Sequence, residues 1–330
     1  MIIEVDDLAI GVWTGPLDRD QRRLAQRLDL ALVPPEAATD PFLVGVADPV
    51  AEGAHLRAMS TANPQSSAVL AQVLRAAPTD PVAALHLESF AYSTLLGGAE
   101  FARWLARRGP RPAPPVPAEP VLLDRDADTL HVTLNHPARR NAYGARLRDA
   151  FVEALRLAVL DRTITRVVVD GAGPVFCSGG DLDEFGTTPD LATAHFIRTG
   201  TGAAGLLDQL ADRTEFHVHG TCVGAGIELP AFARRLLAAP GTTFRLPEVG
   251  MGLIPGAGGT VSLARRIGRS RTLYLALSGK PLDTTTALDW GLVDGLVTTS
   301  RAERGIRGRS SPSGTAAPRQ APQAVVRGSE

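Results

Sequence analysis

A run of prolines near the middle of the chain limits what the chain can fold into. Residues 109–120 read GPRPAPPVPAEP. Proline fixes its own φ angle and lacks the amide N–H that helices and sheets use, so this run predicts an extended, semi-rigid connector. Because 330 residues are also long for a single domain, we expect two structural units, over residues 1–108 and 121–299.

The unit after the connector alternates predicted strands and helices. Leu130–Leu134 is typical of a strand, Ala145–Leu160 of an amphipathic helix, and Thr165–Asp170 of a buried parallel strand rich in β-branched residues. Glu215–His219 adds a further short strand. This alternation predicts an α/β layer fold.

The unit before the connector is predicted to be mixed and then helical. Residues 66–108 have the apolar spacing of a helical pair. Among the first sixty residues, Leu8–Trp13 and Phe42–Val46 are predicted strands on either side of a charged helix, Gln21–Leu32. The sequence thus predicts an α/β beginning that leads into helices.

Composition narrows the classes of function. The formal net charge is −1 and no basic run is interleaved with aromatic residues, so nucleic-acid binding is not expected. The two cysteines lack disulfide or metal-site spacing, and no leader or membrane-spanning apolar stretch is found. We expect a cytoplasmic protein that acts on a small molecule. Residues 300–330 are rich in Arg, Ser, Pro and Gly, which predicts a disordered tail.

Three glycine-rich blocks carry the functional information: Phe176–Leu182, Gly220–Pro230 and Phe244–Thr260. Such loops let amide N–H groups approach a ligand, and helices are expected to follow the first two, with Asp181 as a helix cap. Taken singly, the first block is explained equally well by a tight turn with a helix cap, and the second by close packing of a helix on a strand. The third lacks the dinucleotide-binding spacing, so no nicotinamide cofactor is implied, but Glu248 lies in apolar sequence, where a charge is costly.

In this order, the three blocks resemble those of the crotonase (enoyl-CoA hydratase/isomerase) superfamily. The resemblance covers about residues 121–297 and includes LNHPARRNAY (residues 134–143) and ALDWGLVDGLV (residues 287–297). It implies a spiral sheet of repeated ββα units with surrounding helices, an acyl-CoA substrate from fatty acid metabolism, and no metal or redox cofactor. It also implies a homo-oligomer, a trimer or a dimer of trimers, without nucleic-acid or membrane partners.

The resemblance assigns four catalytic positions. The amides of Gly180 and Ala225 fall where the family builds its oxyanion hole, although the second position is commonly glycine. Glu228 and Glu248 fall where its hydratases keep two catalytic glutamates. Hydration of a 2-enoyl-CoA, or the reverse dehydration, needs one group that takes a proton from water and one that supplies a proton to the α carbon, and two neighbouring carboxyls can hold different protonation states.

The resemblance also assigns four positions to coenzyme A. These are Arg140 and Ala142 in the RRNA turn, and Ser178 and Asp181 beside the first glycine-rich block. The basic side chain is expected to meet phosphate, and the backbone of the turn to meet adenine or pantetheine. A surface arginine without a ligand is the alternative for Arg140.

Two other functions remain open on the sequence alone. Isomerisation, or other chemistry through a thioester enolate, could use the same oxyanion hole. A non-catalytic acyl-CoA-binding or assembly subunit is suggested by Pro230, which follows Glu228-Leu229, and by Arg234, where the family often has an acid.

The end of the chain departs from the family pattern. Crotonases continue after the GLVD segment into helices that cover the acyl site and help to build the trimer, but residues 300–330 have no apolar stripe, and their removal is expected to change little. Residues 66–108 resemble those helices, with Glu88-Ser89 and Tyr92 and, further on, Glu100-Phe101. We therefore expect them to take the place of the missing helices; an unrelated appended domain is the alternative.

Overall fold

The computed structural model describes residues 1–5, 7–109 and 115–297. We call residues 1–109 the N-terminal segment and residues 115–297 the core segment. The N-terminal segment comprises β1 (Ile2–Val5), β2 (Leu8–Val12), α1 (Arg19–Ala25), β3 (Leu30–Val33), β4 (Leu43–Gly45), α2 (Pro49–Ala62), α3 (Pro64–Ala76), α4 (Pro81–Leu96) and α5 (Ala99–Arg108). Its strands form one sheet in the order β1-β2-β3-β4, with β1 antiparallel to β2 and the other pairs parallel.

The predicted charged helix Gln21–Leu32 is wrong in extent. Helix α1 ends at Ala25, and Leu30–Val33 forms a strand in which every residue is buried. A short apolar run fits a buried strand as well as a helix; here the pairing of β3 with both β2 and β4 makes it a strand. The predicted strands Leu8–Trp13 and Phe42–Val46 correspond to β2 and β4.

The predicted helical pair in residues 66–108 is three helices, α3, α4 and α5, and α2 precedes them. Asp80 caps α4 by accepting a hydrogen bond of 2.9 Å from the amide of Ala83. Gly97 and Gly98 separate α4 from α5. The sequence pattern merged α4 and α5 because only these two small residues interrupt the helical spacing.

The core segment alternates strands and helices, as predicted. It comprises β5 (Val121–Asp126), β6 (Thr129–Leu134), α6 (Ala145–Leu160), β7 (Arg166–Gly171), α7 (Leu191–Thr201), α8 (Ala204–Gln209), β8 (Thr214–Val218), β9 (Thr221–Val223), α9 (Ala225–Glu228), β10 (Arg235–Ala238), β11 (Thr243–Arg245), α10 (Gly259–Ile267), α11 (Arg269–Ser278), β12 (Leu282–Asp283), α12 (Thr284–Asp289) and β13 (Gly295–Leu296). The helix predicted at Ala145–Leu160 is confirmed with the same bounds.

Two sheets organise the core segment. The larger one has the strand order β13-β10-β8-β7-β6-β5, parallel except for the β5-β6 hairpin. The smaller one has the order β12-β11-β9, with β9 and β11 parallel and β11 and β12 antiparallel. Successive strands and helices thus wind around a shared interior, and α9 follows β9 directly.

The two segments share one apolar core. Leu56, Leu70 and Leu95 of the N-terminal segment are buried in the same cluster as Val132 and Leu263 of the core segment. Helix α4 contacts α7, α8 and α10, while α11 contacts α2 and α3. The predicted tail, residues 300–330, lies outside the described residues. In the part of the chain described, no helix combines the length and the apolar character needed to cross a bilayer.

Candidate active site

The first glycine-rich block is fastened to the turn that precedes α6 through Asn141. Its side-chain amide donates hydrogen bonds of 2.9 Å to the carbonyls of Ala172 and Phe176, and its Oδ1 accepts one of 2.8 Å from the amide of His136. Sequence reasoning singled out the residues on either side of Asn141. The buried amide between them is what fixes the turn.

The first and second glycine-rich blocks are in direct contact. The amide of Val223 donates a hydrogen bond of 3.1 Å to the carbonyl of Cys177. A Cβ on Gly226 would lie 2.3 Å from that same carbonyl oxygen, so α9 can pack this closely only with glycine at this position.

The two amides assigned to the oxyanion hole face one cavity. Gly180 and Ala225 both line a cavity of about 670 Å³. Among the described residues, neither amide donates a hydrogen bond to a protein acceptor. Two unused N–H donors beside a cavity can stabilise a negative oxygen that develops on a bound ligand.

Glu228 also lines this cavity. It is 2% exposed, and its Oε2 accepts hydrogen bonds of 2.7 Å from the amide of Ala257 and 3.0 Å from that of Gly259. Burial raises the pKa of Glu228 well above its ordinary value, and the neighbouring charges of Glu248 and Glu88 raise it further. The carboxyl is thus fixed in position and holds a proton far more tightly than an exposed glutamate.

Glu248 lies beside Glu228, at the start of a short 3-10 helix. It is 6% exposed, and within the described chain its buried Oε2 has no hydrogen-bond partner. Burial raises the pKa of Glu248 from 4.5 to about 8. A Cβ on Gly224 would lie 2.5 Å from Oε1 of Glu248 and 3.7 Å from Oε1 of Glu228, so the two carboxyls flank one point.

Comparison with known proteins identifies the family of the chain. Residues 124–310, more than half of the chain, match the model of the enoyl-CoA hydratase/isomerase family. The chain belongs to this family. A Mycobacterium bovis relative named as an enoyl-CoA hydratase (echA8) is 32% identical over 220 residues, which cover 64% of this chain and 83% of the relative. The 2,3-dehydroadipyl-CoA hydratase of Escherichia coli is 34% identical over 52% of this chain and 67% of its own.

Solved structures confirm the family's fold. An enoyl-CoA hydratase from Mycobacterium smegmatis is 26% identical with a TM-score of 0.51, and the match covers 57% of this chain and 74% of that one. A Thermobifida fusca protein solved in complex with CoA is 25% identical with a TM-score of 0.50, over 60% of this chain and 80% of that one. The predicted crotonase-type α/β fold is therefore confirmed.

Gly224 offers a test of the enoyl-CoA hydratase/isomerase site. Its φ of 50° and ψ of −122° suit glycine only, and an added Cβ would collide with Glu248. We expect Gly224→Ala to displace Glu248 and to lower kcat/KM for hydration of an enoyl-CoA about 100-fold, because small displacements of groups that take part in a reaction cost this much. Gly241→Ala is the matched control: Gly241 also has a positive φ, 78°, but nothing lies within 4 Å of its added Cβ. Equal loss of activity in both variants would contradict the prediction.

The expected helix cap at Asp181 is wrong. No helix forms in residues 181–190; Asp181 instead accepts a hydrogen bond of 2.7 Å from Nε of Arg139. Arg139 also pairs with Asp183, which pairs in turn with Arg108 of the N-terminal segment. Residues 181–187 form turns, in which the amide of Glu184 donates a hydrogen bond of 3.0 Å to the carbonyl of Asp181. Asp181 and Asp183 thus neutralise arginines and do not start a helix. In the second block, the small residues lead into helix α9 within the block itself, at Ala225–Glu228.

Of the four residues assigned to coenzyme A, only one lines the cavity. Asp181 lines the cavity, whereas Arg140, Ala142 and Ser178 do not. Arg140 is exposed in the left-handed region, with a φ of 52°, and its carbonyl accepts a hydrogen bond of 3.0 Å from the amide of Ser178. Ala142 is buried. Their roles as coenzyme A contacts stay predictions.

Three residues that line the same cavity had no site role assigned from the sequence, although Glu88 and Tyr92 belong to the segment expected to cover the acyl site. Glu88 and Tyr92 come from α4, and Arg198 comes from α7 with its guanidinium 4.5 Å above the Tyr92 ring. The signal for Glu88 was present in the sequence, because a carboxylate in an otherwise apolar helix face is rarely buried without a role. In the described part of the chain, no group of three or more His, Cys, Asp or Glu residues could hold a metal ion.

Proposed function

We propose that the protein hydrates a 2-enoyl-CoA, or dehydrates the corresponding 3-hydroxyacyl-CoA, at the cavity between Glu228 and Glu248. One observation carries the proposal: two buried carboxyls flank a single point on a cavity that also presents two unused amides. The family membership and the relatives named as hydratases support it.

The carboxyl pair can supply one base and one acid at the same time. Two neighbouring buried carboxylates cannot both ionise at low cost, so the pair keeps one proton over a wide pH range. The ionised carboxylate takes a proton from water as the hydroxyl adds to the β carbon. The double-bond electrons move to the thioester oxygen, and the protonated carboxyl then delivers its proton to the α carbon.

The amides of Gly180 and Ala225 act on the same intermediate. As the hydroxyl adds, negative charge accumulates on the thioester oxygen, and two preorganised N–H donors stabilise it more in the transition state than in the substrate. Alanine in place of the commoner glycine at position 225 leaves the donating amide intact. The backbone of the two joined loops therefore does the work of the oxyanion hole.

Isotope labelling tests the proposal. Incubation of 2-enoyl-CoA and 3-enoyl-CoA substrates in 18O-labelled heavy water should give 18O-labelled 3-hydroxyacyl-CoA from the 2-enoyl substrate. Hydrogen exchange and double-bond migration without 18O incorporation would show isomerisation instead. Isomerisation is the second candidate because a 32% identical relative from Mycosarcoma maydis is named an enoyl-CoA isomerase/hydratase. Tight binding of acyl-CoA without any turnover would favour a non-catalytic subunit.

We infer that coenzyme A enters as part of the substrate, in keeping with the Thermobifida fusca relative solved with CoA. The basic turn at Arg140 would meet its phosphates at the surface, outside the cavity that holds the acyl group. Arg140→Gln should raise KM about 10-fold and leave kcat unchanged, since it removes binding that substrate and transition state share. A change in kcat alone would contradict this role. A homo-oligomer and a cytoplasmic location stay predictions.

We further infer that helices α4 and α5 take the place of the family's C-terminal helices. Val82, Leu85, Glu88, Ser89 and Tyr92 of α4 line the cavity. The match with the Mycobacterium smegmatis structure leaves about a quarter of that chain without a counterpart, since it covers 74%. A segment that precedes the core in sequence thus supplies one wall of the site.

A further inference from the structure

Glu88 is a third buried carboxylate at the cavity, and it belongs to helix α4 of the N-terminal segment. It is 2% exposed. Its Oε1 accepts a hydrogen bond of 2.7 Å from the amide of Gly258, and its Oε2 accepts bonds of 2.8 Å from the amide and 2.6 Å from the hydroxyl of Thr260. Three hydrogen bonds thus attach α4 to the loop that opens α10.

The same loop holds Glu228 from its other side. The amides of Ala257 and Gly259 donate to Glu228, whereas those of Gly258 and Thr260 donate to Glu88. Successive amides therefore alternate between the two carboxylates. Any displacement of Glu88 would move the donors that fix Glu228.

Charge links Glu88 to the other two acids. Burial raises the pKa of Glu88 to about 7, against the lowering effect of its hydrogen bonds and of Arg198 on α7. The charge of Glu88 in turn raises the pKa values of Glu228 and Glu248. Tyr92, one helical turn further along α4, is buried beside them, and burial raises its pKa, so it stays neutral. Two cations act on these acids: Arg198 lowers the pKa of Glu88, and Arg245 lowers that of Glu248.

We propose that Glu88 is a positioning residue for the hydration reaction: it clamps the loop of residues 257–260 so that this loop fixes Glu228, and its charge helps to decide which carboxyl holds the proton. This inference rests on the proposed function. It assigns to the N-terminal segment a part in proton transfer beyond covering the cavity.

Glu88→Gln tests both parts of the proposal. A glutamine nitrogen cannot accept an N–H bond, so one side of the clamp opens, and we expect kcat/KM to fall about 10-fold to 100-fold. Loss of the negative charge lowers the pKa of the carboxylate that acts as base. The base is then ionised at lower pH, so the acidic limb of the kcat/KM profile should move to lower pH.

Glu100→Gln is the matched control. Glu100 of α5 is also buried, and it accepts hydrogen bonds of 2.6 Å from the amide of Gln65, and of 3.0 and 2.9 Å from the amide and hydroxyl of Ser66. It does not line the cavity. This variant should lose stability and keep the pH profile of the wild type.

Thr260→Val provides a second variant if Glu88→Gln does not fold. It removes one donor that favours the charged form of Glu88 and keeps the side-chain shape. The acidic limb should then move in the same direction by a smaller amount. An acidic limb that stays at the wild-type position in both Glu88→Gln and Thr260→Val would overturn the inference.

A readout without substrate separates this inference from the proposed function. In protein labelled with 13C at glutamate carboxyls, Glu88→Gln should remove one high-pKa titration and move the remaining ones to lower pH. If the wild type hydrated no enoyl-CoA, the proposed function would be wrong, but the carboxyl titrations would still show whether the charge of Glu88 changes the pKa values of Glu228 and Glu248. Unmoved carboxyl titrations in an active enzyme would refute the inference alone.

Discussion

Glu228→Gln and Glu248→Gln are each expected to lower kcat for hydration of crotonyl-CoA by a factor of about 10² to 10⁴, the usual effect of a positioned proton-transfer group. Glutamine fills the same space and accepts hydrogen bonds, but it neither takes a proton from water nor delivers one to carbon. Initial rates of loss of the conjugated enoyl thioester absorbance measure the effect. The double variant should be little worse than either single one, because the pair acts as a unit.

Thermal unfolding separates lost chemistry from a lost fold. Burial raises the folded-state pKa of Glu248 from 4.5 to about 8, so the folded protein binds this proton more tightly than the unfolded chain does. Stability from this group is therefore present below about pH 4.5 and is lost as pH rises through about 8. Glu248→Gln has no such loss, so its Tm should exceed that of the wild type above about pH 8.

A double variant that hydrated crotonyl-CoA as fast as the wild type would show the catalytic assignment to be wrong.

The sequence predicted those parts of the fold whose periodicity is set by burial. The helix Ala145–Leu160 keeps its bounds because its apolar residues recur on one face, and β7 is shifted by one residue from the predicted Thr165–Asp170. The failure at Leu30–Val33 has a physical reason, since four apolar residues in a row fit a buried strand or a helix until their neighbours are known.

The site was predictable where backbone geometry demands particular residues. Gly226 is required by its close approach to the carbonyl of Cys177, and Gly224 by its close approach to Glu248, so these glycines could be recognised from the sequence motif. Glu88 could not be placed in the same way. It lies 140 positions before Glu228 in the sequence, and only the packing of α4 on α10 brings both to one loop.

Removal of Met1–Pro120 is expected to have the largest effect on the whole molecule. The core segment would lose α4 from the wall of the cavity and α2 and α3 from α11. Because both segments contribute to one apolar core, the deletion would expose a large apolar patch, which promotes aggregation. We expect residues 121–330 expressed alone to be insoluble and inactive, as judged by sedimentation and by crotonyl-CoA hydration.

Cleavage of the chain between the two segments is the control, because it breaks the peptide link and leaves the non-covalent contacts between the segments in place. A protease site inserted into the proline-rich run should allow cleavage without dissociation. Buried apolar contacts, the hydrogen bonds that Gly258 and Thr260 donate to Glu88, and the one that the Ser66 hydroxyl donates to the carbonyl of Val249 hold the N-terminal segment on the core independently of the peptide link. The nicked protein should therefore co-purify as two pieces and keep its hydratase activity, while the fragment 121–330 without its partner piece should not. A soluble and fully active fragment would show that the N-terminal segment is an appended domain, and that the cavity wall formed by α4 is dispensable for the chemistry between Glu228 and Glu248.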